Sequence, residues 1–344
     1  MQKLKIQGKC PQCTAELQYD ADRRVILCEY CGYERPYKEE PRAEGKTFEP
    51  FGMKKKQYHE IQGIPVSNAL AETVANTDWG VRTGAQNCIS CGARLVFEEH
   101  TMATKCPYCG STSMAVDADV RTIAPARILP FMINRKGLTS QIRYYIGNNI
   151  LVPRDFKPLL SEETMLPLYI PFWLFRATAE ADFSAICDAK EVKGRFTKEY
   201  EDIAVMASRR AELSKADFAS AFTFDTAVEF EPEYMSGYLT ERYSVEVKDA
   251  WGIAQKEIYE RVQEDIKSQT QRYFRCNSVN VQRMDVQYTR ETFMSVLAPL
   301  WVQSVPFKGK NWFFSIEGQT AAFIGEFPTK LGKPMSSIPY GGAK

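Results

Sequence analysis

An α+β fold is what this sequence predicts, and three observations predict it. Cysteines recur in a doubled, evenly spaced pattern in the first third of the 344 residues. A long amphipathic segment follows position 247, with apolar residues at helical spacing. The end of the chain alternates apolar runs with short polar turns, the pattern of an antiparallel meander. Helix and strand signals that are segregated along a chain, and not interleaved, point to α+β with a mostly antiparallel sheet.

The cysteine pattern is two copies of one arrangement. Cys10-Pro-Gln-Cys13 precedes Cys28-Glu-Tyr-Cys31, and Cys88-Ile-Ser-Cys91 precedes Cys106-Pro-Tyr-Cys109. Fourteen residues separate the inner cysteines in both copies. A tetrahedral four-thiolate metal site needs two rigid corners, and each Cys-x-x-Cys turn supplies one. A residue able to take positive φ is wanted after the second cysteine; Gly32, Gly92 and Gly110 stand there, with Thr14 at the first corner. Leu17, Tyr19, Val25 and Leu27, then Leu95, Phe97 and Met102, supply strand positions between the corners. The pattern predicts two structural Zn2+ ions in four-cysteine zinc ribbons, with iron as the alternative because Cys106-Pro-Tyr-Cys109-Gly110 resembles a rubredoxin corner. Such sulfur-saturated sites have no open position for water and support folding, not catalysis.

Composition bounds the rest. Met1-Gln2-Lys3-Leu4-Lys5 has no apolar run of a secretory signal, so reduced thiols and a cytoplasmic location are expected. Cys187 and Cys276, outside the pattern, read as small buried hydrophobes. No apolar run is long enough to span a membrane, since Leu166 to Ala177 is short and broken by Pro167 and Pro171. Residues 1–40 carry seven basic and seven acidic side chains, and residues 81–118 three of each. Thiolates make both ribbons net negative, the opposite of a phosphate-binding face. Only Lys54-Lys55-Lys56 forms a basic run, and it reads as solvated surface.

In chain order, the sequence predicts a ribbon over 1–40, a linker with a short helix over 41–80, and a second ribbon over 81–117. An α+β domain follows over 118–330, then a flexible tail over 331–344. Tyr33 to Pro50 reads as extended, Ser67 to Ala75 as one or two helical turns capped by Ser67, and Trp79 to Gly84 as a strand. Ala126 to Ile133 reads as a strand and Gly137 to Asn148 as a helix, with Leu138, Ile142, Tyr145 and Ile146 on one face. Leu166 to Ala185 reads as one or two strands, with its prolines at an edge or entry point. Val247 to Phe274 is the clearest helix, its stripe being Trp251, Ala254, Ile258, Val262 and Ile266. Strands are expected at 293–307, 312–316 and 321–326, with turns at 308–311 and 317–320.

No catalytic or cofactor-binding residues emerge. His59 and His100, the two histidines, stand in unrelated contexts, and phosphate-loop, nucleophile-elbow and HExxH motifs are absent. The chain is therefore expected not to be an enzyme.

Several stretches carry a resemblance. The two ribbons, Leu166-Pro-Leu-Tyr-Ile-Pro-Phe-Trp-Leu-Phe175, Ala298-Pro-Leu-Trp-Val302, Lys308-Gly-Lys-Asn-Trp-Phe-Phe314 and Gly318-Gln-Thr320 with Gly325-Glu-Phe-Pro328 lie in an order that resembles the bacterial TFIIB-type zinc-ribbon-containing proteins. Members often carry a primosomal replication-restart helicase label. Helicase motors need a phosphate-cradling loop, which this chain lacks. The resemblance implies a cytoplasmic, non-enzymatic adaptor or scaffold with a protein partner, of the membrane-stress or SPFH-type scaffold kind. Tyr169, Phe172, Trp173 and Phe175 are its candidate anchors, with plain core packing as the other reading. The alternative is a nucleic-acid-binding ribbon protein of replication, restart or transcription. Its route would be stacking by Tyr30, Tyr33, Tyr108 or Trp79, helped by Arg23, Arg24 and Lys54 to Lys56.

Overall fold

The computed structural model describes residues 9–21, 23–36, 63–70, 79–98, 103–117, 123–210, 213 and 218–336. His59, His100, Met102, the Lys54 to Lys56 run and most of the 41–80 linker lie outside them. The fold is α+β with mostly antiparallel sheets.

The first ribbon is a small sheet of its own: β1 (Gln18–Asp20), β2 (Val25–Leu27) and β3 (Glu34–Pro36). After it come β4 (Ile64–Pro65) and a short helix, α1 (Val66–Leu70). Ser67 lies inside this helix and not at its cap. The second ribbon supplies β5 (Thr83–Cys88), β6 (Arg94–Glu98) and β7 (Met114–Val116). Where the sequence predicts a strand over 126–133, only β8 (Arg127–Ile128) pairs. Leu129 and Phe131 are still fully buried, and the Met132 and Ile133 N–H groups donate to the Gly318 carbonyl at 2.8 and 2.9 Å. The run is apolar because it is core, not because it is sheet.

Helix α2 (Arg135–Ile142) starts at Asn134, whose side chain accepts from the Gly137 N–H, and one wider turn continues it through Gly147. Leu138, Ile142 and Ile146 are its buried positions. The rest of the chain is dominated by long strands. These are β9 (Leu166–Cys187), β10 (Lys190–Met206), β11 (Val228–Glu229) and β12 (Leu239–Glu241). After α3 (Val247–Phe274) come β13 (Val279–Phe307), β14 (Lys310–Glu317), β15 (Phe323–Phe327) and β16 (Met335–Ser336). The last strand falls within the stretch expected to be tail.

The main sheet runs β16-β15-β14-β13-β9-β12-β6-β5-β7, with β10 on β9, β4 and β8 on β13, and β11 on β8. Strand β9 is central despite its prolines. Pro171 accepts from the Ala207 N–H, so its backbone polar groups face away from β13. On that side it falls between the stretch paired with β12, 168–169, and the stretch paired with β10, from Phe172 on. The missing N–H costs no ladder bond there.

The two faces of β9 have different fates. Leu168, Ile170, Phe172 and Leu174 pack on one side with Leu95, Phe97 and Tyr108 of the second ribbon. Tyr169 packs on the other side with Phe131 and Trp301, and Trp173 and Phe175 pack beside α3. All four expected anchor aromatics, Tyr169, Phe172, Trp173 and Phe175, are therefore core. From Arg176 outward only the α3 side stays buried, through Ala177, Ala179, Ala181 and Ala185, while Glu180 and Asp182 face solvent. The result is a projecting arm, three strands with one helix on one face, about 40 Å long. Both outer strands are bulged where it leaves the body: β10 between Tyr200 and Ile203, β13 between Thr289 and Thr292.

Helix α3 has the bounds and the stripe that its periodicity predicts. Ala250, Trp251, Ala254, Ile258, Val262 and Ile266 are buried against the sheet.

Candidate metal centres

Four cysteine corners repeat one backbone geometry. The first cysteine's N–H donates to the carbonyl five residues on: Cys10 to Ala15, Cys28 to Tyr33, Cys88 to Ala93 and Cys106 to Ser111, at 2.7–2.8 Å. Its own carbonyl accepts from the N–H four residues on, from Thr14, Gly32, Gly92 and Gly110 at 2.8–2.9 Å. Closing that loop demands positive φ at the fourth residue, and the values are 65°, 72°, 71° and 72°. Thr14 holds the conformation without being glycine, and its hydroxyl donates to the Cys13 carbonyl at 2.5 Å.

The corners bring eight sulfurs into two groups of four, Cys10, Cys13, Cys28 and Cys31, and Cys88, Cys91, Cys106 and Cys109, with all four ligand atoms of a group within 4.8 Å of one another. The outermost and innermost cysteines pair across each ribbon. Sγ distances are 3.4 Å for Cys10–Cys31, 3.5 Å for Cys13–Cys28, and 3.6 Å for both Cys88–Cys109 and Cys91–Cys106. A tetrahedron with metal–sulfur bonds of about 2.3 Å has edges of about 3.8 Å, so the residues fit a single tetrahedral ion. All eight thiols are free of disulfides.

Electrostatics favour a cation at both centres. Burial opposes ionisation of Cys10, yet the Cys13 and Gln12 N–H groups, with the Cys31 thiol, bring it down to about 7. Cys88 is likewise brought down to about 7, against burial, by the Cys91 N–H and the Cys109 thiol. Their partners move the other way. Backbone donation at Tyr33 favours the Cys31 thiolate, but partial desolvation and the other three sulfurs push it up to about 12. Burial, followed by the neighbouring Cys91, raises Cys106. In each group one thiol is thus favoured as the thiolate while another is opposed, and a cation between them would relieve that opposition.

The two centres are seated differently. The first ribbon lies against the body through Tyr19, whose hydroxyl donates to the Phe131 carbonyl at 3.2 Å and whose ring meets Tyr234 at 5.0 Å. Arg35 grips Glu231 and buried Glu233. Cys31 stays exposed. The second ribbon is part of the main sheet, because β6 pairs with β12 and β12 with β9. Tyr108, inside its last corner, is buried and donates to Glu241, which also accepts from Ser208 at 2.6 Å. The Tyr108 ring stacks on Phe313 at 5.6 Å and lies under the Arg210 guanidinium at 4.6 Å, while Arg210 donates to the Cys91 carbonyl at 2.8 Å. Glu241, Ser208 and Arg210 carry no motif, so only the fold reveals them as supports of this centre.

Two sequence expectations change here. Of the candidate stacking aromatics, Tyr108 and Trp79 are buried and Tyr33 is half-buried, while Tyr30 is 86% exposed. Arg23 is paired with Glu34. Cys187 and Cys276 are buried as expected but are not merely small hydrophobes: they are joined in a disulfide across 89 residues, Cα atoms 5.8 Å apart. Strand β9 ends at Cys187, and α3 ends just before Cys276. No helix among the described residues is long and apolar enough to cross a membrane.

No family model matches the chain. It is similar to a protein of Bacillus subtilis (strain 168) bearing the name "Uncharacterized protein YdjG", with 24% identity over 351 residues, covering 95% of this chain and 92% of that protein. No solved structure matches.

Proposed function

We propose that this chain is a non-enzymatic adaptor in which two zinc ions hold the N-terminal ribbons and the projecting arm engages a protein partner. The observation that carries this reading is the division of labour in the fold. Both four-sulfur groups saturate a tetrahedral ion with protein ligands and are built into packing, which is structural chemistry. Zinc is favoured over iron because closed tetrathiolate ribbons are its usual structural site. The arm adds nothing to the body's two cores. It extends a stiff surface about 40 Å outward, which suits reach and display.

The partner class that the resemblance implies is a membrane-associated scaffold protein. Stacking on nucleic acid has weaker support, since Tyr30 is the exposed member of its aromatic set. The test is affinity capture from native lysate with the full chain and with a chain lacking 178–197. A stable protein captured only by the full chain is expected, and the absence of any such protein overturns the reading. Salt-dependent binding to single- or double-stranded DNA, with a steep slope, would instead establish the nucleic-acid alternative.

A further inference from the structure

The buried stripe of α3 runs out before the helix does. Beyond Ile266 only Thr270 is buried, and the next positions on that stripe, Tyr273 and Phe274, are 82% and 50% exposed. The sheet beneath continues, with Ala185 and Cys187 still covered. The last two turns of α3 therefore lie over the arm's tip without apolar anchorage, and what fastens them is the Cys187–Cys276 bond directly after the helix. A polar clasp assists. Asp188 accepts from the Asn277 and Ser278 N–H groups at 3.1 and 3.0 Å, and its own N–H donates to the Ser278 carbonyl at 3.0 Å. These bonds are exposed, so water competes for each of them.

We propose that Cys187 and Cys276 form a reversible thiol–disulfide site whose state sets the order of the arm's tip, chemically separate from the eight metal-facing thiols. Neither sulfur belongs to either four-sulfur group. The oxidant is a low-molecular-weight disulfide. A thiolate from one cysteine attacks it, breaks its S–S bond and releases one small thiol, leaving a mixed disulfide. The second cysteine, deprotonated, attacks the protein sulfur of that mixed disulfide and releases the second small thiol. Two protein thiols are oxidised, one small disulfide is reduced to two thiols, and the two protons pass to those products. Reduction runs the same steps backwards. It frees the end of α3, leaving the segment after it to the Asp188 clasp and the Gln271 side chain on the Asn277 carbonyl at 3.2 Å, and the helix's final carbonyls largely to solvent.

The test uses the full metal-loaded chain equilibrated in buffers of reduced and oxidised glutathione without denaturant, followed by alkylation, peptide mapping, amide hydrogen exchange and metal analysis. A linked 187–276 peptide is expected in oxidising buffer. On reduction, exchange at 267–278 should rise by about tenfold or more, while the body's exchange and metal content stay constant. The Cys187→Ser/Cys276→Ser double variant should match the reduced wild type in both buffers. Free thiols at every glutathione ratio, unchanged exchange at 267–278 between the two states, or metal loss accompanying reduction would each overturn the proposal. Should the double variant fail to fold, reversible reduction of the wild type decides alone. None of these readouts depends on a partner, so the adaptor reading stands or falls separately.

Discussion

Tyr108, held between two metal-facing cysteines, donates its hydroxyl to the buried carboxylate of Glu241, 133 residues away. Glu241 ends β12, the short strand that links the second ribbon's β6 to the central β9. The corner that shapes one half of a metal centre is thereby bonded to the strand that seats the whole ribbon in the sheet.

Tyr108→Phe keeps the ring stacking and removes that donor. It is expected to cost about 1–3 kcal/mol, the range for depriving a buried carboxylate of a partner. Thermal or urea unfolding measures this. A change within error of zero would show that the hydroxyl is not a working link.

The centres should differ in what their loss does. Cys31→Ser and Cys106→Ser are each expected to remove one metal equivalent by elemental analysis, from an expected two metal ions per wild-type chain. Only Cys106→Ser should lower the unfolding midpoint of the main sheet, because the second ribbon's strands are part of it. With a chelator, the first site should empty sooner, since its Cys31 is exposed and every cysteine of the second is at least half-buried.

Arg35→Ala should loosen the first ribbon without unfolding the body. Arg35 grips Glu231 and Glu233 from a ribbon strand, and Glu233 is buried. Faster hydrogen exchange at 18–36 with unchanged exchange at 293–317 is the expected pattern. The seat is expected to weaken by about 1–3 kcal/mol, as for a charge-assisted hydrogen bond.

Asp265 of α3 accepts from Lys198 and Tyr200 of β10, both at 2.7 Å. Burial opposes its ionisation, but these two bonds outweigh burial and hold its carboxyl below the usual 3.8. A lowered folded-state value means the stabilisation is present above 3.8 and is lost as pH falls through the folded value. Asp265→Asn should therefore destabilise the arm by about 1 kcal/mol at neutral pH. In unfolding measured against pH, the gap from wild type should close in strong acid.

A methyl group at position 318 has no room. A Cβ there would meet the Pro299 Cβ at 2.6 Å and the Phe131 Cδ1 at 2.8 Å. Gly318→Ala is expected to cost about 1–3 kcal/mol by overpacking, read from the unfolding midpoint.

Legibility follows burial. The cysteine corners can be read because the metal geometry forces both a spacing and a positive-φ residue, down to Thr14 in place of glycine. Helix α3 can be read because one face is apolar at helical period. Strand β10 escapes the sequence because it edges the sheet and is charged on its open face; apart from its last residues, only Phe196, Tyr200 and Ile203 betray it. The first half of β13 escapes for the same reason. Pro171 of β9 points to an edge, and only the gap between β10 and β12 explains its central place. The 187–276 bond and the Glu241 support join residues far apart in sequence, for which local pattern offers no signal.

The one-sided arm has a consequence for how it can vary among proteins built on this plan. Strand side chains alternate every two residues, so the three strands keep their buried face only if each gains or loses residues in pairs. One such step changes the arm by about 7 Å, which the covering helix matches with about four or five residues. That is about one and a quarter helical turns, so each step carries the buried stripe about a quarter of the way round the helix. Arm length is thus quantised in pairs of strand residues, and at each step the helix must move its apolar positions to keep them on the sheet. The bulges at Tyr200 and Thr289 mark the line beyond which such steps leave the body untouched.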